Sequence, residues 1–370
     1  MKVALIPLLY EEYNFGGLLQ FYALQKALLK LDVTVEILHV KNETNICSEK
    51  NNIFWGKRML LFPIRFFYRM KKYIFYHLNY GKRIRKTKEF KKNFYLPVRE
   101  YRRGESIYDA YICGSDQIWN PNWARERAFL AFAPKDKLRV IYAASIGCES
   151  LTDYQKKCFK PYIEQLDAVS VREYSAKKIL DSFITDKKID VVLDPTLLLN
   201  AEEYDPLLVD IDYTDYIFTY FLGDCSPYQK SIVDLSNKLG KKIVNIACAS
   251  FEKIESKSFG DIVVKDADPR TFISLIKNAS FVFTDSFHAS VFSIIFKREF
   301  FVFKRSRADM HGRLETLFRH FDLDSRMITS IDEKKLMAFK KISSKMNLEI
   351  IQKELMKKSY DFLKQSLALN

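Results

Sequence analysis

The side chains best able to do chemistry stand where apolar runs break. In "SFVFTDSFHASVFSIIF", Ser280 to Phe296, a run rich in Phe and Val stops at Thr284-Asp285-Ser286, and His288 follows almost at once. The run reads as a buried strand. Asp285 and Ser286 are residue types that cap helices, and Ala289–Phe296 continues as one. His288 is therefore expected in the first turn of a helix, just past the carboxyl end of a strand, where open α/β sheets bind ligands. Free backbone N–H groups and the helix dipole attract anions there. The dipole disfavours an imidazolium, and a bound phosphate would reverse that preference. A semi-buried, hydrogen-bonded histidine beside a helix cap is the plainer reading of the same residues.

Four further strand ends carry polar groups. "YDAYICGSDQIWN", "RVIYAASIG", "AVSVREYSAKKIL" and "IDVVLDPTLLL" deliver Ser115-Asp116-Gln117, Ser145, Arg172 and Asp194, with Ser175 near a helix start. In a parallel sheet these groups gather along one edge. Asp116 could orient an acceptor hydroxyl, act as its base, or cap the next helix. Gln117 and Asn120 suit turn and cap positions, and Asp194 before Pro195 suits a structural turn. In "NFGG", Asn14, Gly16 and Gly17 let backbone approach a ligand or simply make a tight turn. The motif is not GxGxxG, so a dinucleotide fingerprint is absent. Trp119 and Trp123 could stack on a sugar ring or pack in the core. His39, His77 and His320 lack motif context and read as surface or core residues, while His311, expected in a charged loop near the cleft of the second half, is a minor candidate.

These groups need a scaffold. Val3–Leu9 and Val33–Val40 read as strands around a helix at Leu18–Leu31, and the alternation resumes at Tyr108. A second series starts after residue 200 with "YIFTYFLG", "KKIVNIA", "SFVFTD" and "REFFVFKR". Leu348, Ile351, Leu355 and Phe362 mark a long amphipathic terminal helix. At 370 residues the chain is too long for one typical core. The expected architecture is α/β, with two Rossmann-like domains facing a cleft. An N-terminal domain spans 1–200 with an insertion at 50–105, a C-terminal domain spans 201–345, and a helix at 346–370 crosses back to the first domain.

Composition is that of a globular chain, 48% hydrophobic and 29% charged. The six cysteines form no CxxC pair, which fits a reducing cytosol and argues against zinc or a disulfide framework. No metal-ligand cluster is visible. The start lacks a signal-peptide layout, and no apolar run reaches the roughly 18 residues of a spanning helix. The net charge of +14 is concentrated: residues 57–92 hold thirteen Lys and Arg and one acid, Glu89, interleaved with nine Phe and Tyr. That mixture suits an anionic membrane surface. A basic helical pair or a single-stranded nucleic-acid site would read the same. Confinement of the cations to one element favours a docking patch, with no nucleic acid as partner.

The motifs "GSDQIWN", "SVREYSA", "LDPTLLL" and "TDSFHASVF", in this order after "NFGGLLQFYALQKAL", resemble the polysaccharide pyruvyl transferase family from about residue 1 to residue 326. The basic insertion is the least typical part. The resemblance implies a GT-B-like fold and transfer of a pyruvyl group from phosphoenolpyruvate to a sugar, commonly as a cyclic ketal. The sugar belongs to a surface polysaccharide such as a capsule or exopolysaccharide, or to its lipid-linked precursor. Phosphoenolpyruvate is the donor substrate, and neither cofactor nor metal is expected. His288 matches the family's histidine, expected as general acid, and Arg172 its arginine in the "VRE" motif. Asp116 joins His288 as a catalytic candidate. Ser286, Phe287, Arg313, Ser115, Gln117, Asn14, Gly16 and Gly17 are the further substrate-binding candidates. Some members have an arginine two residues before the histidine, where this chain has Ser286. Arg313, Lys304, Arg305 or Arg307 could replace that charge. The expected setting is bacterial and cytoplasmic, peripheral on the inner membrane face, with the second domain on the donor side. Two rival readings are a GT-B glycosyltransferase using a nucleotide sugar and a non-catalytic glycan-binding protein.

Overall fold

In the computed structural model the described residues are 1–7, 14–41, 44–47, 62–247, 259–304, 311–331, 342 and 347–369. Within them, thirteen strands form two sheets. The first comprises β1 (Lys2–Ile6), β2 (Thr34–His39), β3 (Val98–Glu100), β4 (Ala110–Asp116), β5 (Leu138–Ala144), β6 (Ala168–Val171) and β7 (Ile189–Val191), in the order β3-β2-β1-β4-β5-β6-β7. The second comprises β8 (Ile217–Tyr220), β9 (Ile243–Ile246), β10 (Ile262–Val264), β11 (Phe281–Thr284), β12 (Glu299–Phe303) and β13 (Met327–Ile328), in the order β10-β9-β8-β11-β12-β13. All pairings within the two sheets are parallel. Strands such as β4, β8 and β9 are buried along their whole length, as parallel strands covered on both faces must be.

Both sheets reverse direction of strand order once, between β1 and β4 and between β8 and β11. Such a reversal splays the following connections apart and leaves a crevice at the carboxyl ends of the strands. The short edge strands β3, β10 and β13 escape the sequence reading because two or three residues carry no usable periodicity.

Helix α1 (Phe15–Leu29) begins earlier than its pattern indicates, with Gly16 and Gly17 inside the first turn. Asn14 is its cap and accepts from the Gly17 amide at 2.9 Å, so the turn is held despite two glycines. The Phe15 ring lies 5.4 Å from Phe272 and 6.1 Å from Tyr220, which ties α1 to the second sheet's layer. The basic segment contributes α2 (Phe62–Phe94), kinked at Tyr80. Its residues 57–61 lie outside the described residues.

The remaining helices are α3 (Asp153–Glu164), α4 (Tyr174–Asp181), α5 (Ser226–Leu239), α6 (Pro269–Asn278), α7 (Phe287–Ile295), α8 (His311–Phe321) and α9 (Asn347–Ser366). Helix α9 does return to the first sheet. Ser359 Oγ accepts from the Leu193 amide at 3.0 Å, Tyr360 donates to the Leu198 carbonyl at 3.2 Å, and Phe362 packs 6.2 Å from Tyr142.

Candidate active site

His288 stands in the first turn of α7, directly after β11. Ser286 caps the helix, its Oγ accepting from the Ala289 amide at 3.4 Å, and its own amide donates to Thr284 Oγ1 at 3.0 Å. The Asp285 carboxylate turns the other way. It accepts from the amides of Leu222 and Gly223, both at 2.7 Å, and so fastens the loop after β8 beside β11. The strand-order reversal of the second sheet is thus braced by a carboxylate one residue before the cap.

The imidazole lies flat against α1. A Cβ built on Gly16 would fall 2.0 Å from His288 Nδ1. The close approach that this glycine permits is therefore to the histidine ring. Nε2 of His288 is buried, has no hydrogen-bond partner, and sits 3.7 Å from Asp194 Oδ2. That spacing is too long for a hydrogen bond and short enough for strong charge coupling.

Around this nitrogen the ends of β4, β6 and β7 bring together an ionic cluster. Arg172 donates from Nη1 to Asp194 at 2.5 Å and from Nη2 to Asp116 at 3.2 Å. Its Nε lies 3.8 Å from Glu173 Oε2. Asp194 also accepts from the Thr196 amide and hydroxyl, at 3.0 and 2.6 Å. Glu173 accepts from Ser145 Oγ at 2.7 Å and the Ile146 amide at 3.2 Å. Asn14, besides capping α1, donates to Asp116 at 3.5 Å.

Arg313, from the first turn of α8, lies 3.8 Å from Asp116 Oδ1. Gln117 is assigned with its amide oxygen toward this guanidinium, accepting from its two terminal nitrogens at 2.9 and 3.1 Å. The Phe287 ring faces both cations, 4.4 Å from the Arg172 guanidinium carbon and 5.8 Å from that of Arg313. Of the cations named as substitutes for the charge that Ser286 lacks, Arg313 lies beside Phe287, the residue that follows Ser286. Lys304 lies exposed beyond β12, while Arg305, Arg307 and the His311 side chain fall outside the described residues.

The titration of these acids follows their neighbours. Burial would raise Asp116, but Arg172, His288 and Arg313 outweigh it and hold the carboxyl below its ordinary range. Asp194 is likewise depressed, burial being outweighed by His288 and Arg172. Glu173 goes the other way. Its desolvation outweighs the nearby Arg172, so its carboxyl titrates above the usual glutamate range. Arg172 is driven further up, because Asp194, Asp116 and Glu173 together overcome its burial. Asp116 also holds a left-handed backbone, φ 65°, of the strained kind found at functional sites.

Other sequence candidates serve the frame. Ser115 donates its hydroxyl to the Ala143 carbonyl at 2.7 Å, and its amide donates to Gln20 at 3.0 Å. Trp119 is core, stacked 5.2 Å from Phe129, whereas Trp123 keeps an exposed ring and donates to the Gln117 carbonyl at 3.0 Å. Asn120 accepts from the Asn122 amide in a turn. His39 pairs with Glu100, His77 with the Tyr73 carbonyl, and His320 packs on Tyr174.

Two residues at the centre carry a weak signal in the sequence. Asp194 is legible as a strand-end group but equally as a turn residue before Pro195, and Glu173 is not among the candidates. An acid adjoining an arginine at a strand end was the available signal for Glu173. Both Glu173 and Arg313 also line a cavity of about 410 Å³, with Lys156, Ser175 and Lys178. Among the described residues no His, Cys, Asp and Glu group is arranged to hold a metal ion.

Residues 14–307 match the model of a family described as polysaccharide pyruvyl transferase. No curated protein matches the chain. Among solved structures, the chain resembles the putative UDP-N-acetylglucosamine 2-epimerase of Listeria monocytogenes (TM-score 0.52, 12% identity, 99% of this chain and 90% of that one). It also resembles the UDP-GlcNAc 2-epimerase of Neisseria meningitidis, solved with UDP-GlcNAc (TM-score 0.52, 11% identity, all of both chains). A third is the UDP-GlcNAc 2-epimerase of Methanocaldococcus jannaschii (TM-score 0.51, 13% identity, 94% of each chain). At such identities the likeness shows the fold alone: two facing Rossmann-like units of the GT-B type.

Proposed function

This chain belongs to the polysaccharide pyruvyl transferase family, and we propose on that footing that it moves a pyruvyl group from phosphoenolpyruvate onto a sugar. The acceptor is a sugar of a surface polysaccharide or its lipid-linked precursor, and the product is a cyclic ketal. One observation carries this reading. The His288 ring, its buried Nε2 3.7 Å from Asp194, and two guanidiniums from the two units are gathered around the Phe287 ring.

Phosphoenolpyruvate offers a phosphate and a carboxylate, and guanidinium groups suit both. Arg313 is the more accessible cation, since Arg172 is buried among three acids. Binding of a multiply charged anion beside His288 favours a proton on Nε2. That proton passes to the methylene carbon, making a methyl group and a cationic centre at C2. A sugar hydroxyl adds there and returns its proton to the imidazole. The C2–phosphate bond then breaks with its electron pair on the phosphate oxygen. A second hydroxyl closes the ketal, and its proton leaves with inorganic phosphate. Asp116, held below its ordinary range, is a weak base; it orients the hydroxyl as an acceptor. Trp123 offers an exposed ring for the sugar face.

Calorimetric titration with phosphoenolpyruvate tests the donor. Wild type should bind, Arg313→Ala should bind about 10- to 100-fold more weakly, as expected for a lost charge-assisted bond, and His288→Ala should bind without turnover. UDP-GlcNAc is the control. Heat from UDP-GlcNAc with none from phosphoenolpyruvate would move the assignment to a nucleotide-sugar glycosyltransferase. Glycan binding without turnover in the wild type would make the protein a binding module.

A further inference from the structure

The cationic insertion has two halves with different surroundings. From Gly81 to Phe94, α2 is built into the molecule. Arg83, Ile84, Thr87 and Phe90 are buried. Arg83 donates to the Ala247 carbonyl at 2.8 Å, Lys86 pairs with Asp266 at 2.7 Å, and the Phe94 carbonyl accepts from Gln25 at 3.0 Å. The Arg83 guanidinium also faces the Phe15 ring at 5.2 Å, one residue before the glycine on which His288 rests.

Before the kink at Tyr80 the helix is different. Met70, Ile74 and Leu78 recur every four residues, with Tyr73 beside them, so they share one face. That face is open to solvent: Tyr73 is 62% and Leu78 80% exposed, and Met70 and Ile74 are also exposed. Tyr76, on the opposite face, is buried. Lys71 is exposed beside the stripe, and Lys82, Arg85, Lys88 and Lys92 are exposed beyond the kink. An aliphatic stripe flanked by cations, with Glu89 the lone acid between residues 57 and 92, is the composition of an interfacial helix.

We propose that α2 seats the protein on an anionic lipid surface, with Met70, Tyr73, Ile74 and Leu78 at the acyl boundary and Lys71, Lys82, Arg85 and Lys88 at the headgroups. Charge chooses this occupant. A second copy of the chain would bring the same cations to the face and be repelled. Single-stranded nucleic acid would satisfy the cations and could stack on the exposed Phe67, Tyr68 and Tyr73 rings, but it would leave the aliphatic Met70, Ile74 and Leu78 in water. An anionic bilayer satisfies both parts. The cationic half of the helix packs through Arg83 on Phe15, next to the glycine under His288, so a surface-bound enzyme holds its cleft near lipid-linked material. Only that last consequence rests on the proposed pyruvyl transfer.

The test is flotation of the full chain with vesicles of equal phosphatidylglycerol and phosphatidylcholine, and with phosphatidylcholine alone. Binding is expected only to the anionic vesicles and should fall steeply with added salt. Ile74→Glu/Leu78→Glu should abolish it, and Lys82→Gln, Arg85→Gln and Lys88→Gln should each weaken it about fivefold, the effect of one cation near such a surface. Melting temperature verifies folding of each variant, and phosphoenolpyruvate binding without vesicles should be unchanged in all of them. Absence of vesicle binding, or binding indifferent to Ile74→Glu/Leu78→Glu, overturns the proposal. So does a dimer in light scattering that those substitutions dissolve, or an oligonucleotide complex as tight as the vesicle complex. Donor binding and lipid binding are read separately, so either can fail alone.

Discussion

His288 is positioned by what lies beneath it more than by what bonds to it. Its ring rests on Gly16, where any side chain would enter the space of Nδ1. Gly16→Ala should therefore displace the imidazole without removing a stabilising group. A shift of about 1 Å at a reacting group can cost on the order of 10²-fold in rate. We expect a loss of at least that size in turnover, larger than the usual overpacking cost of about 1–3 kcal/mol in stability would explain in a protein that still folds, measured by single-turnover kinetics and calorimetry. A fully active Gly16→Ala would show that the ring has freedom the geometry denies it.

At the scale of elements, the site is a row of strand ends. β4, β6 and β7 present Asp116, Arg172 and Asp194 so that each charge answers another, and α7 and α8 add His288 and Arg313 from the second unit. Asp194 is wholly buried and holds Arg172 directly. Asp194→Asn removes the nearest of the three acids around that guanidinium and leaves Asp116 and Glu173 beside it. It should therefore destabilise the protein in denaturant unfolding by less than the roughly 3–5 kcal/mol of a buried charge left with no partner. The sign of the pH effect is also set. Asp194 titrates lower folded than unfolded, so its contribution is complete above the unfolded carboxylate pKa of about 4. It is lost as pH falls through the depressed folded value. The Asn variant should show a shallower loss of stability below about pH 4. Glu173 acts in the opposite sense, its contribution fading as pH rises through its elevated value. An Asp194→Asn protein as stable as wild type would mean that Arg172 finds another partner.

At the scale of the whole molecule, the chain closes on itself. Helix α9 lies after the second sheet yet docks on the first through Ser359, Tyr360 and Phe362, with Phe362, Leu363 and Leu367 buried. Burying each such apolar side chain contributes roughly 1.5–3 kcal/mol, and three together rival the whole stability of a typical fold. A chain ending before Asn347 should lose cooperative thermal unfolding by circular dichroism. A truncated chain that melts cooperatively at the wild-type temperature would remove α9 from the structural core.

What the amino-acid order decided by itself is local. Apolar runs ending in small polar residues specify strands β4, β8 and β11, and Asp and Ser types after β11 specify the start of α7, so the position of His288 is readable within ten residues. The parallel alternation of strand and helix likewise implies two α/β units and strand ends sharing an edge. Only the tertiary structure decided who meets whom. Gly16 serves His288 from 272 positions away in the chain, Arg313 is held by Gln117 across the two units, and Asp194 joins Arg172 and His288. Helix α1 begins at Phe15 because Asn14 caps it, with Gly16 lying beneath His288 of the second unit. Such pairings depend on the order of strands in each sheet and the facing of the two sheets. Neither leaves a mark in residue periodicity, which registers only which face of an element is apolar.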